Sequence, residues 1–178
     1  LGKLIRILYR FVYRFIPCQE KTILFISFHG RGYSDNPMAI HQYLSKHSQY
    51  ADYRCIYAIK NHKQKKLKIE NARIIEYFSI AYFFYLARSK YWIANCKLPK
   101  YVLKKDSQVY LQTWHGTPLK KLAHDIEVPE GTTFYRSEMS VEEMRSTYDN
   151  DVSKYNYMIS PSAFTTEVFQ SAFAIERA

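Results

Sequence analysis

Apolar residues fall in short blocks along the chain, separated by polar segments carrying Gly, Pro, Ser or Asn. Thr22–Phe28 (TILFISF) is a near-continuous apolar run with β-branched and aromatic residues, the pattern of a strand buried on both faces. Tyr53–Ile59, Arg73–Tyr77, Tyr91–Asn95, Val109–Trp114 and Tyr157–Ser160 predict further strands. Ser34, Asp35 and Asn36 supply N-cap side chains ahead of Pro37, which predicts a helix running to about Lys46. Ile80–Arg88 reads as a second, aromatic-rich helix, and Pro161-Ser162 leads into a third across Thr165–Phe173. Strand and helix alternate with short connections, so residues 18–178 read as an α/β domain with a Rossmann-like parallel sheet. In such sheets the loops at the carboxyl ends of the strands form the ligand crevice.

Residues 1–17 have a different pattern. Lys3, Arg6, Arg10 and Arg14 are spaced by three, four and four, which places them on one stripe about 80° wide on a helix. Everything else in Leu1–Ile16 except Gly2 is apolar or aromatic, and Pro17 ends the helix. A bilayer-crossing helix needs about 20 apolar residues, so this one is too short to span. The cations also interrupt the apolar centre that a signal peptide requires. The pattern predicts a helix in a membrane interface, with Leu, Ile, Phe and Tyr in the acyl boundary and the four cations among anionic headgroups. The alternative is a helix packed on its own domain with its cations in water.

Charge supports an anionic partner for the first part of the chain. Leu1–Asp125 carries 22 Lys and Arg against 7 Asp and Glu, a net +15, while Ile126–Ala178 carries 4 against 9, a net −5. An anionic membrane, a nucleic acid or a phosphate-rich substrate would suit the basic part. The run Lys60–Lys68 (KNHKQKKLK) reads as a solvated loop, and with no recognised RNA or DNA motif present a nucleic-acid partner is not expected. Cys18, Cys55 and Cys96 are widely spaced and odd in number, which predicts reduced thiols rather than a disulfide framework. His41, His47, His62 and His124 lack metal-ligand spacing, so no metal site and no cofactor are read. His29, beside Gly30 and Gly32, is a candidate for touching phosphate, but neither GxxxxGK[ST] nor GxGxxG follows it.

The densest chemistry is Gln112–Leu119, QTWHGTPL. An apolar strand ends at Trp114 and His115, Gly116, Thr117 and Pro118 follow at once. Pro118 predicts a helix start there, whose backbone N–H groups would face a phosphate, with Lys120 and Lys121 adding positive charge. Imidazole is the side chain that exchanges protons near neutral pH, so His115 is a candidate base for a hydroxyl nucleophile.

The string QTWHGTPLKKLAHDI, Gln112–Ile126, resembles the signature of the CDP-glycerol glycerophosphotransferases, the teichoic-acid primases and polymerases of Gram-positive bacteria. Phe28–Ile40 (FHGRGYSDNPMAI) is similar to the family's SYSDNP segment, and Tyr157–Phe173 to its ISPS…TEVF…AF element, so the likeness runs from about Thr22 to Phe173. The resemblance implies a GT-B fold, two Rossmann-like domains with the active site between them, of which this chain is the N-terminal, acceptor-side part. The donor-binding domain would follow Ala178. It implies transfer of glycerol phosphate, or a related polyol phosphate, from a CDP-activated donor to a lipid-linked polyprenyl acceptor. The enzyme would sit peripherally on the cytoplasmic face of the cell membrane, and the resemblance leaves Mg²⁺ dependence open. By the same resemblance His115 is the motif histidine and catalytic base, while Ser34, Asp35 and Asn36 line the crevice on the acceptor side. Asp125 matches the motif's closing acid without a defined role, and Ala123 stands where the motif has Gly. A non-catalytic membrane-bound scaffold, or a pseudoenzyme half, is the competing expectation.

Overall fold

In the computed structural model, residues 2–64, 66–127, 129 and 139–175 are described, residue 5 by its backbone alone. Six strands form one sheet: β1 (Gln19–Ile26), β2 (Arg54–Ile59), β3 (Ala72–Glu76), β4 (Ser89–Ala94), β5 (Val109–Gln112) and β6 (Tyr157–Met158). Their order is β3-β2-β1-β4-β5-β6 and every pairing is parallel. The fold is therefore the Rossmann-like α/β class that the alternation predicts. The strand order reverses between β1 and β4, where Phe25 pairs with Ile93 and Ile26 with Ala94. Connections diverge to opposite sides at this switch point and leave a crevice outside the strand ends.

The helices are α1 (Gly2–Val12), α2 (Asp35–Lys46), α3 (Ile80–Arg88), α4 (Val141–Val152) and α5 (Ala163–Phe173). Side chains alternate along β1, so Leu24 and Ile26 face one layer and Ile23 and Phe25 the other. The first layer packs on α3 through Tyr82, Phe83 and Leu86, with Tyr9 of α1 at its margin. The second packs on Ile40 and Leu44 of α2. Burial on both sides explains why β1 and β2 read as continuous apolar runs rather than alternating ones. Much of the aromatic excess is core: Tyr57, Tyr82, Trp92 and Tyr110 are completely buried.

Three differences from the sequence reading matter. The first helix is shorter than expected, ending at Val12 before a single 3-10 turn over Tyr13–Phe15. No helix begins at Pro118. The chain leaves β5 as irregular loop, runs extended at Leu122 (φ −122°, ψ 155°) and makes only one 3-10 turn over Ala123–Asp125. The reason is tertiary: Ala123 is fully buried in a cluster with Trp114, Phe169 and Phe173, and it takes a left-handed φ of 41° to get there. Finally, α4 went unread from the sequence although it carries a start signal. Ser140 accepts from the Glu143 backbone N–H and Glu143 from that of Ser140, a reciprocal capping box.

Lys60–Lys68 forms surface turns between β2 and β3, with His62 Nδ1 3.0 Å from the Glu76 carboxylate; Lys65 lies outside the described residues. Among the described residues no helix is long and apolar enough to cross a membrane.

Candidate functional site at the strand switch point

The site is assembled where β1, β4 and β5 end. Ser27 is fully buried beyond β1, and its hydroxyl donates to the Ser34 carbonyl at 2.9 Å. Between them the chain turns through three consecutive left-handed residues, Phe28 (φ 44°), His29 (φ 54°) and Gly30 (φ 82°). Only glycine fits the third place, because a Cβ at Gly30 would lie 2.7 Å from the Tyr77 side chain. Left-handed φ at Phe28 and His29 persists only where surrounding structure enforces it.

Asn95 supplies that enforcement. It follows β4, is completely buried, and its Oδ1 accepts the Phe28 N–H at 2.8 Å while its Nδ2 donates to Asp35 Oδ2 at 2.5 Å. Asn36 reaches the Thr113 carbonyl through Nδ2 at 3.4 Å. The Ser34–Asn36 segment is thereby brought over the ends of β4 and β5. Sequence reasoning passed over Asn95, although a lone Asn closing an apolar strand was the visible signal.

His115 is positioned by aromatic packing. Gln112 Oε1 accepts the Trp114 N–H at 2.9 Å, and Trp114 adopts a φ of 54°. The buried indole rests on Phe169 and Phe173 of α5, with ring centroids 5.5 and 5.1 Å away. His115 stacks on the indole at 4.8 Å and 15°, and Phe28 approaches it at 5.8 Å. The imidazole is exposed at the crevice mouth. Gly116 (φ 137°) and Thr117 follow it in open space and in exposed loop. Lys120 is exposed on the same loop, while Lys121 pairs with Glu127 at 2.7 Å. With no helix at Pro118, neither lysine flanks a helix N-terminus. Asp125 accepts from the Ser171 hydroxyl at 2.5 Å and so ties this loop to α5.

The other flank of the crevice is cationic. Burial lowers the His29 imidazole, and Lys60, Arg31, Lys97 and His115 push it the same way. Burial also lowers Lys97 and raises the Asp151 carboxyl of α4 to about 6. Among the described residues no group of three His, Cys, Asp or Glu side chains is placed to hold a metal ion.

A second surface is α1. It docks through Tyr9, which is 2% exposed and donates its hydroxyl to the Leu103 carbonyl at 2.8 Å. Tyr9 therefore belongs to the domain side rather than to an outward apolar face. Arg6 is exposed but leans on the domain, its guanidinium 4.4 Å from the Tyr101 ring centroid and 5.2 Å from that of Phe78. Lys3, Arg10 and Arg14 remain exposed, and Leu4, Ile7, Leu8, Phe11, Val12 and Phe15 present their side chains to solvent.

Fold and site define a Rossmann-type α/β protein whose ligand crevice lies at a 3-2-1-4-5-6 switch point and exposes one histidine on an aromatic platform. The chain belongs to the CDP-Glycerol:Poly(glycerophosphate) glycerophosphotransferase family, whose model matches residues 7–178. The teichoic acid poly(glycerol phosphate) polymerase of Bacillus spizizenii is 37% identical over 180 residues, 98% of this chain and 43% of that protein. The teichoic acid glycerol-phosphate transferase of Staphylococcus aureus is 34% identical over 160 residues, 89% of this chain and 39% of the relative. A solved wall teichoic acid polymerase, TagF, in a variant soaked with CDPG, superposes with a TM-score of 0.88 at 32% identity. That match covers 98% of this chain and 41% of TagF, a GT-B-type enzyme. The chain thus spans less than half the length of these relatives.

Proposed function

We propose that this chain is the acceptor-side part of an enzyme that transfers glycerol phosphate, or a related polyol phosphate, from CDP-glycerol or a similar donor. The acceptor is a lipid-linked polyprenyl molecule in teichoic acid or related cell-wall polymer synthesis. An acceptor hydroxyl attacks the β-phosphorus of the donor, a new P–O bond forms, CMP leaves, and His115 takes the hydroxyl proton. Ser34, Asp35 and Asn36 line the acceptor side, while Gly116 and Thr117 leave the approach to His115 open. Lys120 offers positive charge from the exposed loop, and Lys121 does so beside its ion pair with Glu127. Phosphoryl transfer depends on positioning and charge stabilisation more than on covalent help from the protein, which suits a rigid platform under one imidazole. The carrying observation is that platform: Trp114 holds His115 at the switch-point crevice, against Phe28. The outward apolar face of α1, flanked by Lys3, Arg10 and Arg14, supports peripheral attachment to an anionic membrane at the cytoplasmic face.

The test is His115→Ala in the intact enzyme. Loss of a general base lowers turnover by about 10²–10⁴-fold. Turnover within threefold of wild type, with the fold intact, removes His115 from the mechanism.

A further inference from the structure

Beside the His115 platform, a cavity of about 650 Å³ lies between residues 97–100 and α4, with His29 in its lining. Its walls are of two kinds. Leu98 and Met144 are apolar and buried, while His29, Lys97 and Lys100 bring nitrogen. Lys97 and His29 follow β4 and β1, the two strands between which the sheet order reverses.

Among the described residues, the hydrogen bonds of these amines go to neutral partners. Lys97 Nζ donates to Thr147 Oγ1 at 2.8 Å and stands 3.5 Å from the Tyr148 ring centroid. Lys100 Nζ donates to Ser146 Oγ at 3.0 Å. Asp151 acts on Lys97 through its charge, but its oxygens accept from the Leu98 N–H at 3.0 Å and the Tyr155 hydroxyl at 2.6 Å. Among the described residues no ion pair reaches Lys60, Lys97 or Lys100. A half-buried ammonium whose hydrogen bond goes to a neutral hydroxyl is costly, and an anion with several acceptor oxygens would offset that cost through charge-assisted hydrogen bonds. Lys60 and Arg31 add their field at His29.

We propose that this cavity binds a phosphate or diphosphate ester, held by Lys97, Lys100 and His29, with the organic part of the ester on the Leu98–Met144 wall. The assignment of that ester to the transfer reaction rests on the function proposed above; the anion site itself does not. Two molecules carry the required chemistry, the acceptor through its lipid phosphate and the nucleotide donor.

Inorganic pyrophosphate is the probe, titrated into the intact protein while the His29 imidazole is followed by NMR, with His29→Gln giving the assignment. A bound anion favours the protonated ring, so the His29 titration midpoint should rise by at least half a pH unit. Lys97→Gln, and separately Lys100→Gln at the exposed rim, should each weaken pyrophosphate binding about tenfold. An unmoved His29 midpoint at 10 mM pyrophosphate overturns the proposal, as does unchanged affinity in a folded Lys100→Gln protein. Steady-state kinetics of the lysine variants then assign the source: a raised KM for acceptor alone identifies the lipid phosphate, and a raised KM for donor alone identifies the nucleotide. Pyrophosphate binding needs no turnover, so an inactive enzyme that still binds it would sink the transferase reading and leave the anion site standing.

Discussion

Replacing Asn95 by Ala should free the loop that shapes the crevice without unfolding the sheet. Two opposing quantities meet at this residue. Left-handed backbone at a non-glycine residue costs about 1–2 kcal/mol, so Phe28 and His29 together store roughly 2–4 kcal/mol. Asn95 opposes this with a hydrogen bond from the Phe28 N–H, about 1 kcal/mol, and one to the Asp35 carboxylate, about 1.5–3 kcal/mol. The two sums are similar, so Asn95→Ala should remove the bonds that offset the strain at Phe28 and His29. The Ser27–Ser34 hydrogen bond remains and limits the change to local opening. Hydrogen exchange is the assay. Amides from Phe28 to Asn36 should lose about 2–4 kcal/mol of protection, while those of β1, β2 and β4 keep theirs. Asn95→Asp sets a second carboxyl against Asp35 and should open the same segment near neutral pH, but less in acid. If protection of 28–36 in Asn95→Ala stays within about 0.5 kcal/mol of wild type, an error typical for such comparisons, the reasoning about stored strain is wrong.

Two further outcomes are expected. Arg6 leans on Tyr101 and Phe78, so Lys3, Arg10 and Arg14 are the cations best placed to meet headgroups, at about 1 kcal/mol each. The triple Gln variant should therefore lose about a hundredfold in affinity for phosphatidylglycerol vesicles, and Phe11→Ser/Phe15→Ser should weaken binding further; equal pelleting of all three proteins would mean that α1 does not meet lipid. The raised carboxyl of Asp151 stabilises the fold below the unfolded value near 3.8, and this benefit is lost as pH rises through about 6. The loss is on the order of 3 kcal/mol, so Asp151→Asn should flatten the fall in urea midpoint between pH 4 and 7; an identical slope in the variant would refute the assignment.

The sequence alone determined the layered parallel sheet, because strands buried on both faces must be continuously apolar and must alternate with amphipathic helices. It also singled out His115 and the Ser34–Asn36 segment as candidates, since their motifs are local and composed of residue types with few other uses. What it could not convey is contact between distant segments. The helix expected at Pro118 gives way because Ala123 is drawn into the cluster with Phe169 and Phe173, some fifty residues on in the chain. The clamp on the strained turn is a single Asn at the end of a different strand. The stripe of four cations splits because one of them, Arg6, finds aromatic faces on the domain. Local pattern encodes which way a residue can point along its own element; only packing decides what stands opposite, and the crevice is made of such opposites.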